Sequence, residues 1–318
     1  MINRRFALLA GLAAAAPGPI LAAAKPPQGV ILTYLGNAGW RIEDGRTVVI
    51  VDPFLSQFHL PRAFYRSASE DDGTDDVLVP DEAQIDAHVP RADFVLVTHA
   101  HQDHMLDVPT VAKHTGATVI GSEGAGKIAR AEGVPEKQLI IVKGGEDLEF
   151  GAFSLRVIPS LHSELAGKHY NNSPFAGPVA DDLKPPLRES AYHEGGTFAY
   201  LLRIAGHQVL IMGGMNFIER EMEGLRPDIA LIGAGASHRE VHDYAGRLMR
   251  ALGDPPAVFP THWDSYANMT AEAARHGADL FAAEIKAASP RTRVIIPAYF
   301  EPMTFGASGS GRAKAPGG

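Results

Sequence analysis

Two hydrophobic periods alternate along the chain, and the breaks between them carry Gly, Pro, Asn or Asp. Apolar, β-branched runs at 30–34, 40–43 and 47–51 predict three strands, with Asp44-Gly45 as the hairpin turn between the last two. The stretch 55–80 holds Glu70-Asp71-Asp72-Gly73 and little periodicity, which predicts a surface excursion before a short helix around Ile85 and an apolar strand at 94–97. A helix at about 104–114, a strand at 117–120, a helix at 123–132 and strands at 138–142 and 153–158 follow. The second half predicts strands at 197–204 and 207–212 joined at Gly206, then strands at 229–232, 257–259 and 293–296. Helices are expected between them at 217–223, 240–251 and 271–287.

Hairpins mixed with strand-helix-strand passages favour an α/β fold of two mixed sheets packed face to face and flanked by helices, rather than one parallel sheet. No linker divides the chain, so a single domain is expected over 27–305, and the Gly, Ser, Ala and Lys of 306–318 predict a disordered tail. The first residues read as an address. Arg4-Arg5-Phe6 begins a positive start, 7–16 are mostly Ala and Leu, and Ala22-Ala23-Ala24 offers a cleavage site. The paired arginines resemble a twin-arginine export signal, so residues 1–24 are expected to be removed and the mature protein to be periplasmic. Pro17-Gly18-Pro19 interrupts the apolar run, which falls short of the ~20 residues of a spanning helix, so no stable membrane anchor is expected after processing.

Composition narrows the chemistry. The formal charge of −8 comes with interspersed signs and no basic stripe, which argues against nucleic acid as a partner. There is no cysteine, which removes disulfides, thiolate nucleophiles and Cys-ligated metal in one step. Any metal must therefore sit on histidine and carboxylate. No Gly-x-Ser-x-Gly elbow appears, which disfavours a Ser/His/Asp hydrolase.

The run Thr98-His99-Ala100-His101-Gln102-Asp103-His104 leaves the end of the expected strand 94–97. A strand end is a rigid platform, and three imidazoles with a carboxylate can hold a borderline cation such as zinc or iron. His99-x-His101-x-Asp103-His104 resembles the HxHxDH signature of the metallo-β-lactamase superfamily. Gly36-Asn37-Ala38-Gly39-Trp40 and Val51-Asp52-Pro53-Phe54 are similar to the opening of its branch with ascorbate-6-phosphate lactonase and N-acylphosphatidylethanolamine phospholipase D. Ser160-Leu161-His162-Ser163 and Pro260-Thr261-His262-Trp263 match that branch's later histidines.

The resemblance implies the αββα sandwich of that superfamily and a two-metal centre. His99, His101 and His162 would hold one metal, and Asp103, His104 and His262 the other, with Asp52 propping the histidine loop from behind. It also implies a hydrolase acting on a small molecule, an ester, lactone or phosphodiester, through zinc-activated water, with Asp103 as the catalytic carboxylate that orients that water or takes its proton. The sequence departs from the family at one position. Strand 207–212 runs into Gly213-Gly214 where the family places an aspartate bridging both metals. The departure favours one tight zinc and a second, weaker metal, unless Asp264, Asn216 or water compensates. Two other readings stay open: an iron-dependent redox enzyme on the same fold, and a non-catalytic binding protein for which Gly214 is the only support.

Residues 163–193 interrupt the strand order and are read as a lid over the site, against a passive surface loop. Tyr170 and His193 on it, and Asn216, are candidate substrate contacts. His238 and His242 stand four apart, as an accessory contact on one helix face or a solvated helix start. His59, His88, His114, His207 and His276 are read as structural, and 121–127 as a helix start rather than a phosphate loop.

Overall fold

The structure, a computed structural model, describes residues 29–58, 75–164, 175–264 and 270–306. The leader 1–24, the acidic run 70–73, His59, Tyr170 and the tail from 307 lie outside the described residues.

The chain builds one sheet, then the other. The first takes β1 (Gly29–Gly36), β2 (Gly39–Glu43), β3 (Val48–Val51), β4 (Phe94–Leu96), β5 (Thr118–Gly121) and β6 (Leu139–Ile141). The second takes β7 (Asp147–Glu149), β8 (Phe153–Pro159), β9 (Phe198–Ile204), β10 (His207–Met212), β11 (Ile229–Gly233), β12 (Ala257–Thr261) and β13 (Arg293–Val294). The last strand, β14 (Pro302–Gly306), crosses back to the first sheet. The orders are β14-β1-β2-β3-β4-β5-β6 and β13-β12-β11-β10-β9-β8-β7, antiparallel on one side of each sheet and parallel on the other. This is the expected sandwich of two mixed sheets.

The core follows from the residue pattern. β3 and β12 are buried along their whole length, as strands packed on both faces must be, whereas β8 alternates buried and half-buried positions. One apolar cluster joins Trp40 and Leu32 of the first sheet to Tyr200, Leu210 and Phe259 of the second. A second lies beyond the first sheet, under α1 (Glu82–His88), α3 (Val108–Thr115) and α4 (Glu123–Ala131). Ser122 caps α4 by accepting the Ala125 N–H at 3.2 Å, which makes 121–127 a capped helix start. On the other face α6 (Tyr244–Leu252) and α7 (Ala271–Ala288) cover the second sheet with Leu248, Met249, Phe281 and Ile285. Among the described residues no helix is long and apolar enough to cross a membrane.

Several expectations are corrected. The single helix at 104–114 is two, α2 (Gln102–Met105) and α3, because the buried Asp107 turns its carboxylate onto the Ser56 N–H and hydroxyl instead of capping α3. The helix expected at 240–251 begins only at Tyr244, since Asp243 adopts φ 43 and breaks the run. The helix at 217–223 shrinks to α5 (Glu219–Met222). Leu55, Ser56 and Gln57 are buried, so the start of 55–80 belongs to the core, whereas 75–77 and Val79 are exposed around a single buried Leu78, as a surface excursion requires. β7 and β14 were not expected: Asp-Leu-Glu is too short and polar to read as a strand, and Pro302 argues against one except at an edge, which is where β14 runs. Gly306, assigned to the tail, pairs with Gly29 in that strand, and its carbonyl lies 2.7 Å from His207 Nε2.

Trp40 joins the sheets directly. Its ring lies 4.9 Å from Tyr34 and 5.6 Å from Phe259, and its indole N–H donates to Thr261 Oγ1 at 3.1 Å. Trp40→Ala is expected to destabilise the protein by about 3–5 kcal/mol through the cavity it leaves. Urea unfolding measures this, and a loss under 1 kcal/mol (about a fivefold change in the folded-to-unfolded ratio) would show that the sheets do not depend on it.

Candidate metal centre

The histidine loop leaves β4 where both sheets hold it. Val97 accepts a hydrogen bond from Tyr200 Oη of the second sheet at 2.6 Å. The next residue, Thr98, donates its N–H to Asp52 Oδ1 at 2.8 Å and its hydroxyl to Asp52 Oδ2 at 2.5 Å, and its carbonyl accepts from Phe198 N–H at 2.8 Å. Asp52 is fully buried at the end of β3 with φ 36, a backbone conformation that aspartate tolerates better than most residues. Farther along, the Ala100 N–H donates to the Glu194 carbonyl at 2.8 Å. α2 starts immediately after His101, so Asp103 and His104 share one helical turn.

Side chains distant in sequence then meet. Ligand atoms of His99, His101 and His162 lie within 4.8 Å of one another, and so do those of His99, Asp103 and His104. His104 Nε2 is 3.2 Å from His262 Nε2, and Asp103 Oδ2 is 3.4 Å from the first and 3.1 Å from the second. Donors placed tetrahedrally at zinc-ligand distances stand about 3.4 Å apart, so these three suit a common cation. Two imidazole nitrogens and a carboxylate oxygen in such proximity otherwise repel unless a proton lies between them.

The outward-facing nitrogens pass the same test. A ligating imidazole needs its other N–H held by an acceptor, which sets both tautomer and ring angle. His104 Nδ1 lies 2.8 Å from Asp52 Oδ2, His162 Nδ1 3.1 Å from the Ser163 carbonyl, His101 Nε2 3.1 Å from the Phe175 carbonyl, and His99 Nδ1 3.2 Å from Thr98 Oγ1. Each ring is thereby left with one nitrogen for the cluster, and the donor set fits a divalent cation.

Charge separates the two clusters. Burial, with His104, His101 and His162 nearby, holds His99 neutral well below the usual histidine range. Burial and His162 push His101 down to about 3, and burial lowers His162 against the opposing charge of Glu194. Burial alone would lower His104, but Asp103 and Asp52 outweigh it and push it up to about 10. Burial would likewise raise Asp103, yet His104 and His262 hold its carboxyl well below the ordinary range.

The remaining expected residues fare differently. Gly214 carries no ligand, but a Cβ there would meet Ser163 Oγ at 3.4 Å, an ordinary contact, so the position has room for a side chain. Gly213 has none: a Cβ would lie 2.0 Å from Thr98 Oγ1. Asp264 does not replace the bridging carboxylate, because it is buried against the Asn37 N–H and the Tyr34 and Tyr299 hydroxyls. The side-chain oxygen of Asn216 accepts from the Phe217 N–H at 2.9 Å, which ties it to its own backbone. His193 Nδ1 lies 2.9 Å from the Ala176 carbonyl, on the segment whose Phe175 carbonyl holds His101. His238 and His242 do not share a helix face: His238 sits buried in a 3-10 turn, Ala236–Glu240, between the Gly235 carbonyl and Glu284. His207 pairs with Asp228 at 2.7 Å, a structural role as expected.

Sequence reasoning missed Glu194 and gave Asn37 no role of its own. Glu194 is buried, accepts the Thr197 hydroxyl at 2.7 Å, and is followed by Gly195, where φ is +65 and a Cβ would stand 2.9 Å from the Gly124 Cα. That Gly pair behind a carboxylate, Glu194-Gly195-Gly196, was the available signal of a tightly packed turn.

Residues 31–262 match the beta-lactamase superfamily domain. The chain is 24% identical over 259 residues to a UPF0173 metal-dependent hydrolase of Chelativorans sp., covering 81% of this chain and 96% of that one. A UPF0173 metal-dependent hydrolase of Thermoplasma volcanium is 25% identical over 274 residues, 86% of this chain and 98% of that one. Among solved structures, Igni18, a metallo hydrolase of Ignicoccus hospitalis, superposes with a TM-score of 0.55 at 18% identity, over 87% of this chain and 98% of its own. CmlA, a diiron beta-hydroxylase of Streptomyces venezuelae, gives 0.54 at 17% identity, over 88% of this chain and 54% of its own.

The charge difference is measurable. In chelated protein at about pH 7, His104 carries a proton while His99 and His101 do not. Loading the Asp103–His104–His262 cluster must expel that proton, and raising the pH removes the competition. Affinity there is expected to rise about tenfold per pH unit between roughly pH 7 and 9, while affinity at His99–His101–His162 stays flat. Titration calorimetry in buffers of different ionisation enthalpy counts the protons, and equal release in both steps would contradict the assignment.

Proposed function

The chain belongs to the metallo-β-lactamase superfamily, and we propose that it works there as an exported metal-dependent hydrolase that cleaves an ester, lactone or phosphodiester at a zinc centre. The observation that carries this reading is the meeting of His104, His262 and Asp103 at 3.1–3.4 Å beside the His99–His101–His162 cluster. The hydrolase names of the Chelativorans and Thermoplasma relatives support it. His99, His101 and His162 would hold one ion and Asp103, His104 and His262 the other, the second more weakly for want of a carboxylate at Gly214.

Bound there, zinc would supply Lewis acidity and lower the pKa of water from about 15.7 toward about 7. The chain's residues do the rest. His99 and His101 stay neutral and keep their lone pairs available at any pH near neutrality. Asp103, partly exposed and held anionic by His104 and His262, would orient an attacking water through its carboxylate, a role that suits it better than taking the proton, because a carboxyl held well below the ordinary range is a weak base. Asp52 fixes His104 and Thr98, so the carboxylate and the imidazoles keep their spacing during turnover. Leu161, 45% exposed next to His162, offers an apolar contact to the substrate. The described part of 163–193 supports a cover over the site, since Phe175 reaches His101 while Val179, Leu187 and Tyr192 anchor it to the core. Export by the leader Met1 to Ala24 accords with a metalloenzyme folded before transport.

Purified full-length protein, assayed with lactones, acyl esters and phosphodiesters, is expected to hydrolyse one class. Chelation should abolish the activity, zinc restore it, and His101→Ala reduce it to the level of buffer alone. Chelator-insensitive hydrolysis would reject the reading, and a coloured protein with stoichiometric iron would favour the redox alternative.

A further inference from the structure

We infer that Asn37 is the positioning residue of the Asp103–His104–His262 cluster, setting cation affinity there from the turn between β1 and β2. The inference rests on the metal-centre reading above and assigns a role to a residue outside the ligand set.

Asn37 is buried and touches two of the three ligands, which come from opposite sheets. Its Nδ2 donates to the Asp103 carbonyl at 2.8 Å and to Asp103 Oδ2 at 3.3 Å. That Oδ2 is the oxygen facing His104 Nε2 and His262 Nε2. Its carbonyl accepts the His262 N–H at 2.6 Å and the Thr261 hydroxyl at 3.0 Å. One residue therefore sets the separation between the helix turn that carries Asp103 and the strand end that carries His262. The chain in turn holds Asn37 firmly: its N–H lies 3.0 Å from Asp264 Oδ1, and Asp264 is gripped at 2.6 Å by both Tyr34 Oη and Tyr299 Oη.

An amide is suited to this place for two reasons. Its φ of 53 is a left-handed conformation that asparagine adopts more readily than most residues. Its N–H can also serve a carboxylate oxygen while leaving that oxygen's charge for a cation, whereas an acid here would set two carboxylates against each other. Asn37→Gly keeps the backbone conformation and its hydrogen bonds and deletes only the amide. Asn37→Asp keeps the shape and reverses the polarity.

The test is cobalt(II) titration of chelated full-length protein, read by its visible absorption and by calorimetry. Asn37→Gly is expected to weaken the second equivalent by about 10- to 100-fold while the first stays within about twofold of wild type, and Asn37→Asp to weaken the second further. Unchanged uptake of both equivalents in both variants would overturn the inference. So would equal weakening of both equivalents with a lowered unfolding midpoint of the chelated protein, which is the mark of a packing role alone. If wild type takes up no second equivalent, the two-cation reading fails before Asn37 is compared.

Discussion

A carboxylate with no exposed surface must find its donors inside the protein, and among the described residues those of Asp52 come from one stretch, Thr98 to His104. Thr98 supplies its N–H and its hydroxyl, and His104 supplies Nδ1 at 2.8 Å. Satisfying Asp52 therefore fixes both ends of the histidine run, whose middle is pinned by the Glu194 carbonyl. Gly213 belongs to the same constraint, because any side chain there would displace Thr98. Removing the carboxylate would release the loop and leave His104 without the partner that sets its tautomer.

The site is a product of how two sheets meet. His99, His101, Asp103 and His104 follow a strand of the first sheet, while His162 and His262 follow β8 and β12 of the second. Each of the two clusters, His99–His101–His162 and Asp103–His104–His262, takes its last member from the second sheet. Trp40 against Phe259, Tyr200 Oη on Val97, and the His262 N–H on Asn37 hold the two in register at the end where the site lies. Apolar packing between the sheets thus acts on chemistry: a slip of one sheet by a residue would separate His262 from Asp103.

Much of this was legible in the chain. The His99 to His104 run was readable at the exit of an apolar strand, and His162, His262 and Asp52 through the resemblance of their surrounding motifs to the family; the structure brings them together. Long, periodic strands such as 207–212 also matched closely. Short polar elements did not: Asp147–Glu149 is a strand only because Phe153–Pro159 pairs with it, which no local pattern reveals. Asn37 and Glu194 act chiefly through bonds to residues far along the chain, and such pairings belong to the tertiary fold rather than to local sequence. The split of the helix after His104 has the same cause, since Ser56 captures Asp107 from across the domain.

The neutral imidazoles at His99 and His101 and the anion at Asp103 are the protonation states that cation binding needs, established by burial and by neighbours before any ion arrives. The most direct measurement of the central claim is anomalous X-ray scattering at the zinc edge from crystals of the zinc-loaded protein. The account predicts a strong peak among His99, His101 and His162, with a second peak of equal or lower occupancy among Asp103, His104 and His262. Peaks confined to other surfaces, with His162 or His262 turned into solvent, would contradict it.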